Sequence, residues 1–120
     1  MRMSFTRRAL LGGIFRVMPR AVRRKALERE RAVIEWRITG GRGPEPDVRQ
    51  LVIEPGGATV LPGMPREPDL AFTTDGVTFL LLATGHADGA ALFVRGDLIF
   101  EGDPWLAMRL PKIFAAPRPR

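Results

Sequence analysis

The chain has 120 residues, a net charge of +6, no cysteine and one histidine. This length suits a single domain with one core, and the lack of cysteine excludes disulfides and thiolate metal sites. With one histidine and a single serine, Ser4, the residue inventory weighs against hydrolases and zinc enzymes. We therefore expect no enzyme activity, no cofactor and no metal. No apolar run reaches the roughly 18 residues that a membrane-spanning helix needs.

Positive charge is concentrated in the N-terminal part of the chain. Residues 1–37 hold 11 Lys and Arg against 3 Asp and Glu, whereas residues 38–120 hold 8 against 10. Two interpretations of this asymmetry are open: a solvated basic surface, or a segment that docks on an anionic surface.

The first 31 residues predict two helices. The run "TRRALLGGIF" resembles a twin-arginine export signal, but its apolar part is only seven residues long, and a basic segment follows it instead of a cleavage site. The periodicity favours an amphipathic helix that ends near Pro19. Its apolar arc contains Leu10, Leu11, Ile14, Phe15, Val17 and Met18. Residues 20–31 predict a second, charged helix.

From residue 32 onward the apolar period changes from that of a helix to that of a strand. The run "AVIEWRITG" predicts a strand in which Ile34, Trp36 and Ile38 face the core. The alternating residues Glu35 and Arg37 are predicted to face water. The segment "VRQLVIEPGGATVLPG" predicts a hairpin that turns at Gly56-Gly57. The run "DLAFTT" predicts a fourth strand, with Leu70 and Phe72 on one face.

Glycine and aspartate mark the element ends in the second half of the chain. Three helices are predicted over residues 76–84, 89–95 and 104–114, each preceded by an aspartate that can cap it. These caps are Asp75 (with Thr74 as the alternative), Asp88 and Asp103. A fifth strand, "DLIFE", lies between the last two helices. Pro111 is expected to kink or shorten the final helix, and residues 115–120 are predicted to be disordered.

Two functional interpretations of "FVRGDLIFEGDPW" are rejected on these grounds. The tripeptide from Arg95 to Asp97 resembles an adhesion motif, but its arginine ends a helix and its glycine follows that helix, which explains both residue types. Asp97 and Asp103 resemble a catalytic carboxylate pair, yet Asp97 begins a strand and Asp103 serves as a helix cap.

The block from residue 69 to 110 resembles the sterol carrier protein-2 family. Three local patterns carry the likeness: Phe79-Leu80 followed by Thr84-Gly85, then Phe93-x-x-Gly96-x-Leu98, then Gly102-Asp103-x-x-Leu106-Ala107. Residues 31–68 fit more loosely as a three-strand meander, and residues 1–30 fit as an N-terminal helical region. The chain is most similar to small stand-alone bacterial members that carry the "EWRITG" strand.

The resemblance implies an α+β fold in which helices cover one face of a curved, mostly antiparallel five-stranded sheet. It divides the chain into a basic helical segment at 1–30, a lipid-binding domain at 31–114 and a tail at 115–120. The implied function is non-enzymatic binding, and transfer between membranes, of fatty acyl chains, sterol-like or isoprenoid molecules in a tunnel between sheet and helices. The alternative is an accessory protein that presents a hydrophobic intermediate, such as a quinone precursor, to biosynthetic enzymes.

The last three predicted helices are apolar on more than one side, which is typical of a filled core and equally of a surface that faces an apolar ligand. With the implied tunnel, the second interpretation is favoured. The expected lining residues are Phe72, Phe79, Leu82, Leu92, Phe93, Leu98, Phe100, Trp105, Met108 and Leu110.

A lipid carrier must also meet a membrane, and the basic N-terminal segment is the predicted contact. The expected docking residues are Arg7, Arg8, Arg16, Arg20, Arg23, Arg24 and Lys25. The expected partners are thus an apolar lipid, transiently an anionic membrane surface and, under the alternative function, a biosynthetic enzyme. Nucleic acid is not expected, because the basic segment lacks aromatics placed for stacking. We expect a cytoplasmic protein, peripheral at the inner face of the membrane.

Overall fold

The computed structural model of the chain describes residues 2–41 and 43–114, with side chains from residue 9 onward. The predicted disorder of residues 115–120 lies outside the described residues. The helices are α1 (Arg2–Val17), α2 (Arg24–Arg29), α3 (Gly76–Ala83), α4 (Gly89–Arg95) and α5 (Pro104–Ile113), with a 3-10 turn at Met18–Ala21. The strands are β1 (Ala32–Thr39), β2 (Asp47–Glu54), β3 (Gly57–Pro62), β4 (Leu70–Asp75) and β5 (Ile99–Gly102).

The five strands form one open sheet in the order β3-β2-β1-β4-β5. β1 and β4 run parallel, and the other three neighbouring pairs are antiparallel. This confirms the predicted α+β fold with a mostly antiparallel five-stranded sheet. The predicted hairpin is also confirmed, since β2 and β3 pair from Glu54 and Gly57 outward.

One face of the sheet carries the main core. The alternation along β1 places Ile34, Trp36 and Ile38 on this face, and all three are buried. On the neighbouring strands, the residues that pair with inward-facing positions of β1 lie on the same face: Leu51, Ile53, Leu70 and Phe72. The helices cover it with buried apolar side chains, among them Leu11, Phe15, Phe79, Leu92, Leu106 and Ile113.

The prediction that Glu35 faces water is wrong, because its side chain is only 1% exposed. β3 and β4 lie on opposite sides of the β2–β1 pair, so the connection between them, residues 63–69, crosses the second face of the sheet. The side chain of Gln50 holds this crossing segment, since Nε2 donates to the Arg66 carbonyl at 2.8 Å and Oε1 accepts from the Arg66 N–H at 3.1 Å.

Both carboxylate oxygens of Glu35 accept hydrogen bonds on this second face of the sheet. Its Oε1 accepts from Gln50 Nε2 at 2.7 Å, and its Oε2 accepts from Arg37 Nε at 2.6 Å. The hydrogen bond to Glu35 is the main cause that raises the pKa of Arg37 above its ordinary value. Because a buried carboxylate is stable only when it is paired, this cluster specifies how the β3–β4 connection crosses the sheet.

The predicted helix caps are confirmed at all three aspartates. Asp75 accepts from the Thr78 N–H at 2.7 Å, and Asp88 accepts from the Ala90 N–H at 3.1 Å. Asp103 accepts from the first free N–H groups of α5, at 2.9 and 3.3 Å. These bonds satisfy donors that a helix start leaves unpaired.

The boundaries of α2 and β5 differ from the prediction. α2 is shorter than residues 20–31, because the chain first makes a 3-10 turn that contains Pro19. β5 begins at Ile99, because Asp97 still belongs to the turn after α4 and donates its N–H to the Leu92 carbonyl. α5 contains Pro111 and still reaches Ile113.

Gly102 is held against the backbone at the start of β4. Its φ of +118° lies in the region that favours glycine. A Cβ at this position would overlap the Asp69 carbonyl oxygen and lie 3.0 Å from Leu70 Cα. The same Asp69 carbonyl accepts the Asp103 N–H at 2.9 Å, so the close approach also positions the start of α5.

Replacing Gly102 by alanine is expected to destabilise the fold more than replacing Gly96. Both glycines have positive φ, but a Cβ at Gly96 would meet nothing within 4 Å. Each variant should lose about 1–3 kcal/mol through backbone strain, and Gly102→Ala should lose at least about 1 kcal/mol more through overlap with fixed backbone. Urea denaturation followed by circular dichroism measures both; equal losses would show that the Asp69 contact is unimportant.

Glu35→Ala is expected to lower the free energy of unfolding by about 3 kcal/mol, because it removes a buried carboxylate with two partners. Glu101→Ala is the matched control. Glu101 contacts the same Arg37 at 3.5 Å but is 70% exposed, so its loss should cost less than about 1 kcal/mol. The same denaturation experiment compares them, and a cost for Glu35→Ala as small as the control's would argue against a structural role for the buried cluster.

Candidate functional site

Six aromatic side chains form a continuous series of ring contacts between the sheet and the helices. In order of contact, this aromatic layer consists of Phe15, Phe79, Trp36, Phe72, Phe100 and Phe93. Successive ring centroids lie 5.1, 5.3, 4.8, 6.3 and 5.1 Å apart. These separations are typical of packed aromatic pairs, so the layer joins the two halves of the fold.

The sheet and the helices contribute equally to the aromatic layer. Trp36, Phe72 and Phe100 are in register on β1, β4 and β5, so their side chains rise from the same face in one row. The helices α1, α3 and α4 each add one ring: Phe15, Phe79 and Phe93. The layer begins at a buried ring and ends at one that is 49% exposed, Phe93.

The structure sorts the ten predicted lining residues into three groups. Four are buried in the core: Phe72, Phe79, Leu92 and Leu98. Three are half-buried and pack against it: Leu82, Phe100 and Leu110. Three are exposed: Phe93, Trp105 and Met108. Seven of the ten therefore meet in or against one core, whereas three point outward from α4 and α5.

The aromatic layer lies in the space between the sheet and the helices, and its successive rings are in contact. In the part of the chain that the structure describes, two of the best-formed pockets lie elsewhere and are largely open to solvent. One is lined by residues 85–88. The other is lined by Arg23, Arg24, Lys25, Pro111 and Lys112. Neither of these two pockets corresponds to the tunnel implied by the resemblance.

Sequence reasoning missed two polar features of the aromatic layer. Trp36 is 6% exposed, and its Nε1 is buried with no hydrogen-bond partner among the described residues. Arg49 lies directly opposite Trp36 on β2, on the same face, with its Cζ 5.4 Å from the centroid of the Phe15 ring. The signal for Arg49 was available, because the alternation that places Leu51 inward also places Arg49 inward.

The C-terminal half of α5 is fastened to the N-terminal segment. At its C-terminal end, Ile113 accepts the Arg23 N–H at 2.7 Å, and Phe114 accepts from Arg23 Nε at 2.9 Å. Along the helix, Nε and Nη2 of Arg109 donate to the two oxygens of the Glu30 carboxylate, at 3.1 and 3.0 Å. This hydrogen bond is the main cause that raises the pKa of Arg109. The C-terminal helix therefore closes on the N-terminal segment.

The predicted docking residues are exposed wherever the structure describes their side chains. These are Arg16, Arg20, Arg23, Arg24 and Lys25; the side chains of Arg7 and Arg8 lie outside the described residues. The apolar arc of α1 is divided, since one stripe with Leu11 and Phe15 is buried in the core while Leu10 and Val17 are about half exposed. None of the described helices has both the length and the hydropathy needed to cross a bilayer.

Several known structures share this fold at low sequence identity. The sterol carrier protein domain 2 of Helicoverpa armigera has a TM-score of 0.75 at 18% identity, covering 86% of this chain and 84% of its own. Palmitated SCP2L2 from Aedes aegypti has a TM-score of 0.62 at 19% identity, covering 92% and 96%. The ubiquinone synthesis protein UbiJ-SCP2 has a TM-score of 0.59 at 19% identity, covering 80% of each chain.

The family of the chain is identified by a sequence comparison. No curated protein matches it significantly. The model of the SCP-2 sterol transfer family matches residues 14–115, a range that includes part of α1 and every strand. The chain therefore belongs to the SCP-2 sterol transfer family, whose domains are lipid-binding carriers.

Proposed function

We propose that this protein binds an apolar lipid between the sheet and the helices, and carries it between membranes without chemical change. The observation that carries the proposal is the aromatic layer, which offers a continuous apolar surface shared by both halves of the fold. Family membership and a neighbour described as palmitated support it. Fatty acyl chains, sterol-like and isoprenoid molecules are the candidate cargoes.

The energetics suit an acyl chain. Burial of each CH₂ group gains about 0.8 kcal/mol, so sixteen carbons gain about 12 kcal/mol before the costs of ordering. Because successive rings of the layer are in contact, cargo that enters between them must separate some ring contacts and replace them with its own. Affinity then equals the gain from burial minus the cost of opening the layer, which favours long chains over short ones.

The ten predicted lining residues take two roles in this proposal. The buried and half-buried ones surround the acyl chain. The exposed ones, Phe93, Trp105 and Met108, contact cargo at the surface, where a long, adaptable methionine suits ligands of irregular shape. The exposed end of the aromatic layer, at Phe93, is where cargo first meets it.

The acidic residues support a binding protein over an enzyme. Asp103 caps α5 through two backbone N–H groups. Asp97 is paired with Arg95, whose Nη2 lies 2.8 Å from the carboxylate. His86, the one histidine of the chain, is exposed and contacts Thr84 in the turn after α3. Each of these side chains thus has a structural partner.

Docking on an anionic leaflet is the second part of the proposal. Each basic residue near such a surface contributes roughly 1 kcal/mol, so about four of them would give roughly 4 kcal/mol. This is reversible binding, which suits exchange of cargo. The exposed Leu10 and Val17 add an apolar contact on the same helix as Arg16. A cytoplasmic protein that is peripheral at the inner membrane face follows from this proposal.

A second candidate function is the presentation of a hydrophobic intermediate, such as a quinone precursor, to biosynthetic enzymes. The similarity to the ubiquinone synthesis protein UbiJ-SCP2 favours it. The two candidate functions differ in the partners that they require. A carrier should exchange lipid between vesicles without any other protein, whereas a pull-down with an accessory protein should recover biosynthetic enzymes.

Phe93→Asp is expected to weaken binding of a fluorescent long-chain fatty acid about tenfold, because it places a charge at the exposed end of the aromatic layer. Val94→Asp is the matched control, since Val94 is the next residue of α4, is 83% exposed and has no ring in the layer. Fluorescence titration gives both affinities. Equal effects of the two variants would mean that the layer is not the site, and no binding by the wild-type protein would overturn the proposed function.

Arg16→Glu/Arg20→Glu is expected to reduce co-sedimentation with phosphatidylserine-containing vesicles at least fivefold, because both side chains are exposed on the basic segment. Arg66→Glu/Arg95→Glu makes the same change in net charge away from that segment, at two exposed positions, and should leave binding nearly unchanged. High salt should release the wild-type protein. Equal binding to neutral phosphatidylcholine vesicles would contradict the docking proposal.

A further inference from the structure

Trp36 carries a buried hydrogen-bond donor that the described part of the fold does not use. Its ring is well packed, at 4.8 Å from Phe72 and 5.3 Å from Phe79. Its Nε1 nevertheless has no partner among the described residues. A buried donor without an acceptor destabilises a protein, and native structures contain few of them. Phenylalanine would supply the ring contacts without this cost, so the indole N–H itself needs an explanation.

Arg49 places a positive charge on the strand next to Trp36, on the same face of the sheet. It is the direct cross-strand partner of Trp36, and side chains at such positions are neighbours. Its guanidinium lies over the Phe15 ring and 3.4 Å from Asp47, and its side chain is 31% exposed. A cation on the inner face of a lipid-binding core is unusual, because burial disfavours charge.

The two polar groups stand at one end of a row that crosses the sheet. Arg49, Trp36, Phe72 and Phe100 occupy matching register positions on four adjacent strands. At about 4.8 Å per strand, the row is about 14 Å long. The row begins at the partly exposed cation of Arg49 and continues with the unpaired N–H of Trp36. The rings of Phe72 and Phe100 follow, and Phe100 contacts Phe93. This order of chemistry matches a molecule with an anionic head and an apolar tail.

We propose that Trp36 and Arg49 form a polar anchor for the carboxylate of a long-chain fatty acid. Trp36 Nε1 donates a hydrogen bond to a carboxylate oxygen, and the Arg49 guanidinium balances its charge. The acyl chain then extends along the row toward Phe100. This inference rests on the proposed function and deepens it, because it selects acidic single-chain lipids over neutral ones and fixes the direction of the bound chain.

Three probes of equal chain length test the anchor: palmitate, methyl palmitate and hexadecane. Palmitate offers a charged acceptor, methyl palmitate offers a neutral acceptor, and hexadecane offers none. In NMR spectra of the ¹⁵N-labelled protein, Trp36→Phe and Trp105→Phe assign the two indole N–H signals. Palmitate and methyl palmitate should shift the Trp36 signal downfield, as a newly formed hydrogen bond does, whereas hexadecane should not.

Affinity measurements on two variants separate the two roles. Trp36→Phe should weaken binding of palmitate and methyl palmitate about tenfold more than it weakens binding of hexadecane, which reports only the loss of ring contact. Arg49→Gln should weaken palmitate about tenfold and leave the two neutral probes unchanged. Circular dichroism confirms that each variant is folded, and the wild-type NMR experiment stands if either is not.

The outcomes distinguish the anchor from the proposed function. If the wild-type protein binds all three probes equally and the Trp36 indole signal moves alike with each, the anchor is overturned while lipid binding stands. If both variants weaken all three probes to the same extent, the residues only maintain the fold and the anchor is again overturned. If no probe binds, the proposed function fails and the anchor fails with it.

Discussion

The packing of Trp36 between Phe72 on the sheet and Phe79 on α3 ties the two layers of the fold together. Each such ring gains about 2–3 kcal/mol when it leaves water, so these contacts are among the strongest between the layers. Under the proposed function, a lipid would bind at the same rings. Stability without cargo and capacity for cargo would then draw on the same apolar surface, and a bound acyl chain would replace the ring contacts that it displaces.

The second face of the sheet is braced by hydrogen bonds. Glu35, Gln50 and Arg37 form a buried hydrogen-bonded cluster that holds the β3–β4 connection across the strands. Gly102 allows the end of β5 to pack closely against the Asp69 backbone, whose carbonyl also accepts the N–H of Asp103 at the start of α5. With the sheet braced from behind, the opening that the proposed function requires would involve the helices, among which α4 carries the half-exposed Phe93.

Local signals predicted the elements well, and long-range contacts set the limits of prediction. The helix caps at Asp75, Asp88 and Asp103 depend on neighbours two or three residues away, so the sequence could show them. The burial of Glu35 depends on a segment some 30 residues further along the chain, and alternation alone assigns a face without saying what covers it. The unpaired Nε1 of Trp36 is likewise invisible in a sequence, because a missing partner is a property of three-dimensional packing.

The most direct test of lipid binding between the layers is isotope-filtered NMR on the protein with ¹³C-labelled palmitate. The account predicts nuclear Overhauser contacts from the acyl chain to the rings of Phe72, Phe79 and Phe100, and chain-end contacts to Phe93. Contacts confined to solvent-facing side chains outside the aromatic layer, or none at all in the presence of saturating palmitate, would contradict it.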